Sequence, residues 1–89
     1  MEKSLFTAEY ATMLVLLRQF RRDIGVTQVE LADRLGQSQS FVSKVERGES
    51  RLDIIQLRTI CHALGTSLAT FVAALESQLT PPSGAMRRK

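Results

Sequence analysis

The sequence predicts an all-α fold, a compact bundle of about five short helices around one core. Three observations carry this reading. Glycine punctuates the chain at Gly25, Gly36, Gly48 and Gly65, the apolar residues between these points recur at helical and not at alternating spacing, and the last four segments each open on a residue that caps helices. At 89 residues the chain has room for one domain and too little for a large cofactor-dependent enzyme.

The first helix runs from about Ala8 to Asp23. At the helical period Tyr10, Met13, Leu17, Phe20 and Ile24 fall on one side, with Arg18 and Arg22 opposite. Gly25 closes it, because glycine takes the left-handed conformation after a helix without steric penalty. Thr27, Gln28, Val29 and Glu30 form a capping-box pattern that starts a second helix, Gln28 to Leu35. The third begins at the cap Ser38 and stops before Gly48, with Val42 and Val45 turned inward. Asp53 and Gln56 repeat the capping box for a fourth helix, whose apolar stripe is Ile54, Leu57, Ile60, Cys61 and Leu64. Ser67 caps a fifth that carries Leu68, Phe71, Val72, Leu75 and Leu79, and Pro81 with Pro82 ends the ordered part. The expected organisation is an N-terminal arm over 1–7, a folded domain over 8–79 and a disordered basic tail over 80–89.

The formal net charge is +3, and Arg87, Arg88 and Lys89 account for all of it. The rest of the chain carries nine basic and nine acidic residues, so any basic surface on the fold is a local patch. A single cysteine, Cys61, excludes an internal disulfide and fits a reducing compartment. The longest apolar run, Met13 to Leu17, is too short to span a bilayer, and the first residues carry both charge signs without a signal-peptide apolar stretch. A soluble cytoplasmic protein without a membrane partner is expected. Cys61 reads as core and the adjacent His62 as surface, and no second cysteine or histidine exists to complete a metal site. No cofactor is expected. With one histidine and scattered carboxylates there is no catalytic constellation, which argues against an enzyme.

The second and third helices are joined by Gly36 and Gln37, and helix, tight glycine turn, helix is the geometry of a helix-turn-helix. Ala32 lies where the two helices cross closely, a place for a small side chain. With Val42 and Val45 inward, the third helix presents Ser40, Ser43, Lys44 and Arg47 outward, and Gln39 projects from its first turn. None of these is acidic, although the serines Ser38, Ser40 and Ser43 taken by themselves read as a cap and a solvated face. Major-groove base edges demand such groups: glutamine pairs bidentately with adenine, lysine donates to guanine, and serine serves several bases. Gln28, Arg47 and Arg51 are placed to meet phosphates, with Ser38 on the same backbone side as a cap and the helix N-termini adding positive potential. Phe41 lies at the edge of the apolar face, where both a core role and packing on sugar or a thymine methyl stand open. Arg18 and Arg22 read as solvated surface, with Arg18 the nearer of the two to the DNA backbone side and therefore a backbone candidate.

From Leu17 to Leu75, about two-thirds of the chain, the sequence resembles the Cro and phage-repressor type of helix-turn-helix protein, the xenobiotic response element (XRE) family. The matching residues are Leu17, Arg18 and Arg21 before Gly25, the run Val26 to Ala32, Gly36, and the run Ser38 to Gly48. The resemblance implies a lambda-repressor-like five-helix DNA-binding domain that places its third helix in the major groove of a pseudo-palindromic operator as a homodimer. It would act as a bacterial or phage repressor or autoregulator, associated with the nucleoid. It also implies that Gln28 holds a phosphate and braces Gln39, the first base reader, with Ser40 and Lys44 at further reading positions where phage repressors often place glutamines. Arg21 and Glu46 resemble a family ion pair that orients the third helix, and both flank their apolar stripes on the helical wheel. The expected dimer surface is the fifth helix with the arm, through Leu5, Phe6, Phe71, Leu75 and Leu79. A protein-interaction module, such as an antitoxin, remains the alternative use of the same fold.

Overall fold

The computed structural model describes residues 7–79, and among these it forms five α-helices and no strand. They are α1 (Ala8–Asp23), α2 (Gln28–Leu35), α3 (Gln39–Glu46), α4 (Ile54–Ala63) and α5 (Leu68–Gln78). Each begins on a side-chain cap. The oxygens of Thr7, Thr27, Ser38, Asp53 and Ser67 accept from the backbone N–H three residues on. At Thr27 and Asp53 the favour is returned, since Glu30 and Gln56 accept from the cap's own N–H at 2.8 and 2.9 Å. These caps matter most for α2 and α3, which have eight residues each and are too short to persist alone in water.

The helix-turn-helix angle is set at Gly36. Its φ of 67° is left-handed, and this lets the N–H groups of Gly36 and Gln37 turn back onto the carbonyls of Asp33 and Ala32 at 3.2 and 2.9 Å. α2 packs on α3 and α4, α1 on α3 and α5, and α4 on α5. The shared core is Leu16, Leu17, Val26, Leu31, Ala32, Val42, Val45, Leu57, Ile60, Cys61, Leu64 and Phe71. Ala32 is buried at the α2/α3 crossing, and Phe20 meets Phe71 edge to face with centroids 5.2 Å apart. Outside the core, the Tyr10 hydroxyl accepts from the Leu52 N–H at 3.1 Å, and Arg34 donates to the Ala63 carbonyl at 2.7 Å, a cation on the C-terminal end of α4. No single helix among the described residues is long and apolar enough to cross a membrane.

The helical organisation follows the sequence reading, with corrections at particular side chains. Ile24 does not join the α1 stripe: it is the residue that caps α1, its backbone has left the helix, and its side chain is 50% exposed. Leu14 and Leu16 are buried instead, because α1 packs on both α3 and α5 and so buries a wider sector than one stripe. Ile54 opens the first turn of α4 and is 59% exposed, ahead of the core that Leu57, Ile60, Cys61 and Leu64 enter. Arg18 is not a solvated residue opposite the core: it is half-buried and bonded to Glu46. Phe71 is fully buried in its own domain, which removes it from the expected dimer surface. Leu75 of α5 is half-buried, and so is Leu79, which is not carried on the fifth helix but follows its end in extended backbone. Leu5, Phe6 and the basic tail 80–89 lie outside the described residues.

A Cβ added at Gly36 meets nothing within 4 Å, so only its left-handed backbone resists substitution. Gly36→Ala is expected to cost about 1–2 kcal/mol of stability, read from the urea unfolding midpoint. A loss near zero would show that the turn relaxes out of this conformation.

Candidate nucleic-acid interface

The site grows outward from a buried ion pair. Arg21 of α1 and Glu46, the last residue of α3, are 7% and 5% exposed. Arg21 grips the carboxylate with two bonds, Nε to Oε2 at 2.6 Å and Nη2 to Oε1 at 3.0 Å, and its third nitrogen donates to the Val26 carbonyl at 2.8 Å. Arg18 adds Nη2 to the Glu46 backbone carbonyl at 3.0 Å and stands 3.6 Å from Oε1. Burial by itself would raise the Glu46 pKa. The hydrogen bonds from Arg21 and Gln28, with the charges of Arg21 and Arg18, outweigh it and hold the carboxyl below its ordinary value.

From this pair a chain of amides leads to the surface. Gln28, in the first turn of α2, donates Nε2 to Glu46 Oε1 at 2.9 Å, and its Oε1 accepts from Gln39 Nε2 at 2.7 Å. The direction is forced, because an ionised carboxylate only accepts, so Gln28 must turn its NH2 inward and its oxygen outward. Gln39 must then offer an N–H to Gln28, which leaves its own oxygen and one N–H unassigned. Arg21, Glu46, Gln28 and Gln39 thus form one line from core to surface.

Around Gln39 the outward face of α3 carries the residues the sequence placed there. Gln39, Ser40, Lys44 and Arg47 are exposed, and Ser43 is half-buried between them. Arg47 Nη1 donates to Ser43 Oγ, and Ser38 Oγ accepts from the Phe41 N–H as the cap of α3. Phe41 is half-buried and packs against the core beside Leu35 and Ile60. Arg51 stacks over the Tyr10 ring, 4.5 Å from its centroid. The structure therefore brings Gln28, Gln39, Ser40, Ser43, Lys44 and Arg47 to one side, with Arg18 tied behind them and Arg51 set on Tyr10.

Two partners were missed in the sequence. Arg18 and Arg21 stand three apart on α1, which puts them side by side on one helix face, and that spacing pointed to a shared partner. Glu49 follows Arg47 after Gly48 and pairs with it at 2.9 Å, so the face does have an acidic neighbour just past the helix end. His62 is exposed and Cys61 buried, with burial pushing the thiol pKa up. Among the described residues no group of three His, Cys, Asp or Glu side chains stands together to hold a metal.

A helix-turn-helix family model (HTH_3) matches residues 17–71, more than half of the chain. The chain belongs to the XRE-type helix-turn-helix family. An XRE-family like protein from Pseudomonas syringae pv. tomato superposes with a TM-score of 0.76 at 44% identity, covering 82% of this chain and 89% of that one. The clp gene regulator ClgR of Corynebacterium glutamicum gives a TM-score of 0.71 at 33% identity, covering 81% of this chain and 77% of that one. An HTH-type transcriptional regulator of Methanothermobacter thermautotrophicus is 36% identical over 53 residues, 60% of this chain and 77% of the relative. Another from Sinorhizobium fredii is 41% identical over 49 residues, 55% of this chain and 64% of that relative. The XRE-type family is one of DNA-binding transcriptional regulators, and the resemblance read from the motifs is borne out.

In this XRE-type domain, removing one member of the buried pair strands the other. Arg21→Ala is expected to lower stability by about 3–5 kcal/mol, measured by urea unfolding, and an unchanged midpoint would deny the pair its structural role. The folded Glu46 pKa lies below the unfolded value of about 4.3. Its contribution is therefore complete above that range and is lost as pH falls through the folded value. Glu46→Gln should flatten the fall of stability as pH drops below about 4.3; an acid limb as steep as in the wild type would place the titration elsewhere.

Proposed function

We propose that the protein is a sequence-specific transcriptional regulator that lays α3 in the major groove of a pseudo-palindromic operator as a homodimer. The observation that carries this reading is the directed amide line ending at Gln39. Gln39 keeps one acceptor and one N–H, the pair of groups that adenine N6 and N7 require. Ser40, Ser43 and Lys44 stand beside it as further base readers. The backbone contacts in this reading fall to Gln28, Ser38, Phe41, Arg47, Arg51 and Arg18, supported by the N-termini of α2 and α3. Such contacts position the domain, while Gln39, Ser40, Ser43 and Lys44 select sequence.

One helix of eight residues spans few base pairs, and two copies on half-sites about 34 Å apart read a longer sequence. The proposed dimer surface is formed by Leu75 of α5 and Leu79 just past its end, with Leu5 and Phe6 of the arm as its other part. The regulator acts as a repressor or autoregulator in the cytoplasm, at the nucleoid.

The test is selection of bound duplexes from a random DNA library, followed by titration of the selected site. A palindromic consensus is expected, and the absence of any enriched sequence would sink the reading. With that site in hand, Lys44→Ala should cost about 1–3 kcal/mol and relax preference at one base position. A uniform loss across all sequences would move Lys44 to the phosphates.

A further inference from the structure

The carboxylate of Glu49 covers one edge of the Arg47 guanidinium. Its two oxygens take Nε at 2.9 Å and Nη2 at 3.1 Å, the forked arrangement that arginine also gives to a phosphate. The remaining terminal nitrogen, Nη1, lies on Ser43 Oγ. One guanidinium thus spans from Glu49 to Ser43, so Ser43 of α3 and Arg47 just past its end are both engaged within the protein.

The backbone fixes this arrangement. Past the end of α3 the Gly48 N–H returns to the Val45 carbonyl at 3.0 Å and the Glu49 N–H to the Lys44 carbonyl at 2.9 Å. Glu49 is therefore anchored against the last turn and does not hang from a loose loop. The contact holds the Glu49 carboxyl below its ordinary range, chiefly through the hydrogen bond from Arg47 and secondarily through its charge, with Lys44 adding to the same effect. All three side chains are exposed, where an ion pair is weak enough to be exchanged.

We propose that Glu49 is a positioning residue of the DNA interface: it stands in for a backbone phosphate on Arg47, and DNA binding exchanges the carboxylate for a phosphate. This rests on the DNA-binding reading above. The exchange needs only the Nε and Nη2 edge of Arg47, so the guanidinium keeps Nη1 on Ser43 and is already oriented for the phosphate. It also changes the ionic balance. A phosphate neutralised by Arg47 releases a counterion, and the freed Glu49 carboxylate takes one up, so this contact adds almost nothing to the salt dependence of binding.

The experiment measures fluorescence anisotropy of the selected operator and of a scrambled duplex of equal length, over a series of salt concentrations, with the full chain. Glu49→Gln is expected to bind both duplexes about two- to fivefold tighter at low salt. Its slope of log affinity against log salt should be steeper by about one unit, with an unchanged unfolding midpoint. In an Arg47→Ala background the same substitution should bring no gain. Two outcomes overturn the proposal in a wild type that binds DNA: affinity and slope that Glu49→Gln leaves alone, or a gain that survives Arg47→Ala, which would reduce Glu49 to simple repulsion. If neither wild type nor Glu49→Gln binds any duplex at low salt, the DNA-binding reading itself falls and this proposal falls with it.

Discussion

The carboxylate of Glu46 joins three helices. It belongs to the last residue of α3, takes two hydrogen bonds from Arg21 of α1, and takes a third from Gln28 of α2. A negative side chain at a helix C-terminus adds to the negative end of the helix dipole, so the position needs cations close by. Arg21 and Arg18 supply them, and Arg18 also satisfies the Glu46 carbonyl, one of the acceptors a helix end leaves open. The short helix α3 is thereby fixed at its far end by charge, while Ser38 fixes its near end by a cap. Between those ends Val42 and Val45 hold it to the core. An eight-residue helix pinned at both ends and along one face keeps a constant orientation.

The parts of this domain that sequence makes legible are those governed by local chemistry. Thr27 with Glu30 and Asp53 with Gln56 cap helices through contacts three residues apart, and Gly36 takes a conformation that glycine favours; neither depends on distant neighbours. Ala32, Val42 and Val45 were legible because their spacing in the chain already puts them on facing sides of a tight turn. What sequence left unread depends on the third dimension. The helical wheel ranks residues by angle around one helix, but Arg18 lies near the edge of α1, and only the approach of α3 turns that edge into an interior. Ile24 and Ile54 satisfy the wheel yet sit at helix ends, where the backbone departs from the axis and the core is out of reach. Phe71 was assigned to a surface because α5 has apolar residues to spare; packing on Phe20 claims that one for the interior.

Net charge is a poor guide to the interface for a related reason. The described helices hold acids and bases in near balance, and their effect depends on pairing. Glu46 is buried and consumed by two arginines, so it contributes structure and little outward field. Glu49 is exposed and opposes Arg47 at the surface, where the field acts on a ligand. Two carboxylates near one helix end therefore have opposite consequences, and burial separates them.

A buried ion pair is an expensive way to hold helices together. Apolar side chains of similar volume often hold them as well or better, because they avoid the desolvation of two charges. Adhesion alone therefore does not explain Arg21 and Glu46. An apolar pair lacks direction: it gives Gln28 no partner, and the amide could then present either its oxygen or its NH2 to Gln39. An acceptor-only carboxylate removes that freedom, and the choice is passed along two amides to the surface. In the proposed complex the desolvation cost of Glu46 is offset by a defined donor and acceptor pattern at the first base-reading position. The interaction that orients α3 also orients Gln39, so in the proposed complex the stability of the fold and the choice of base rest on the same carboxylate.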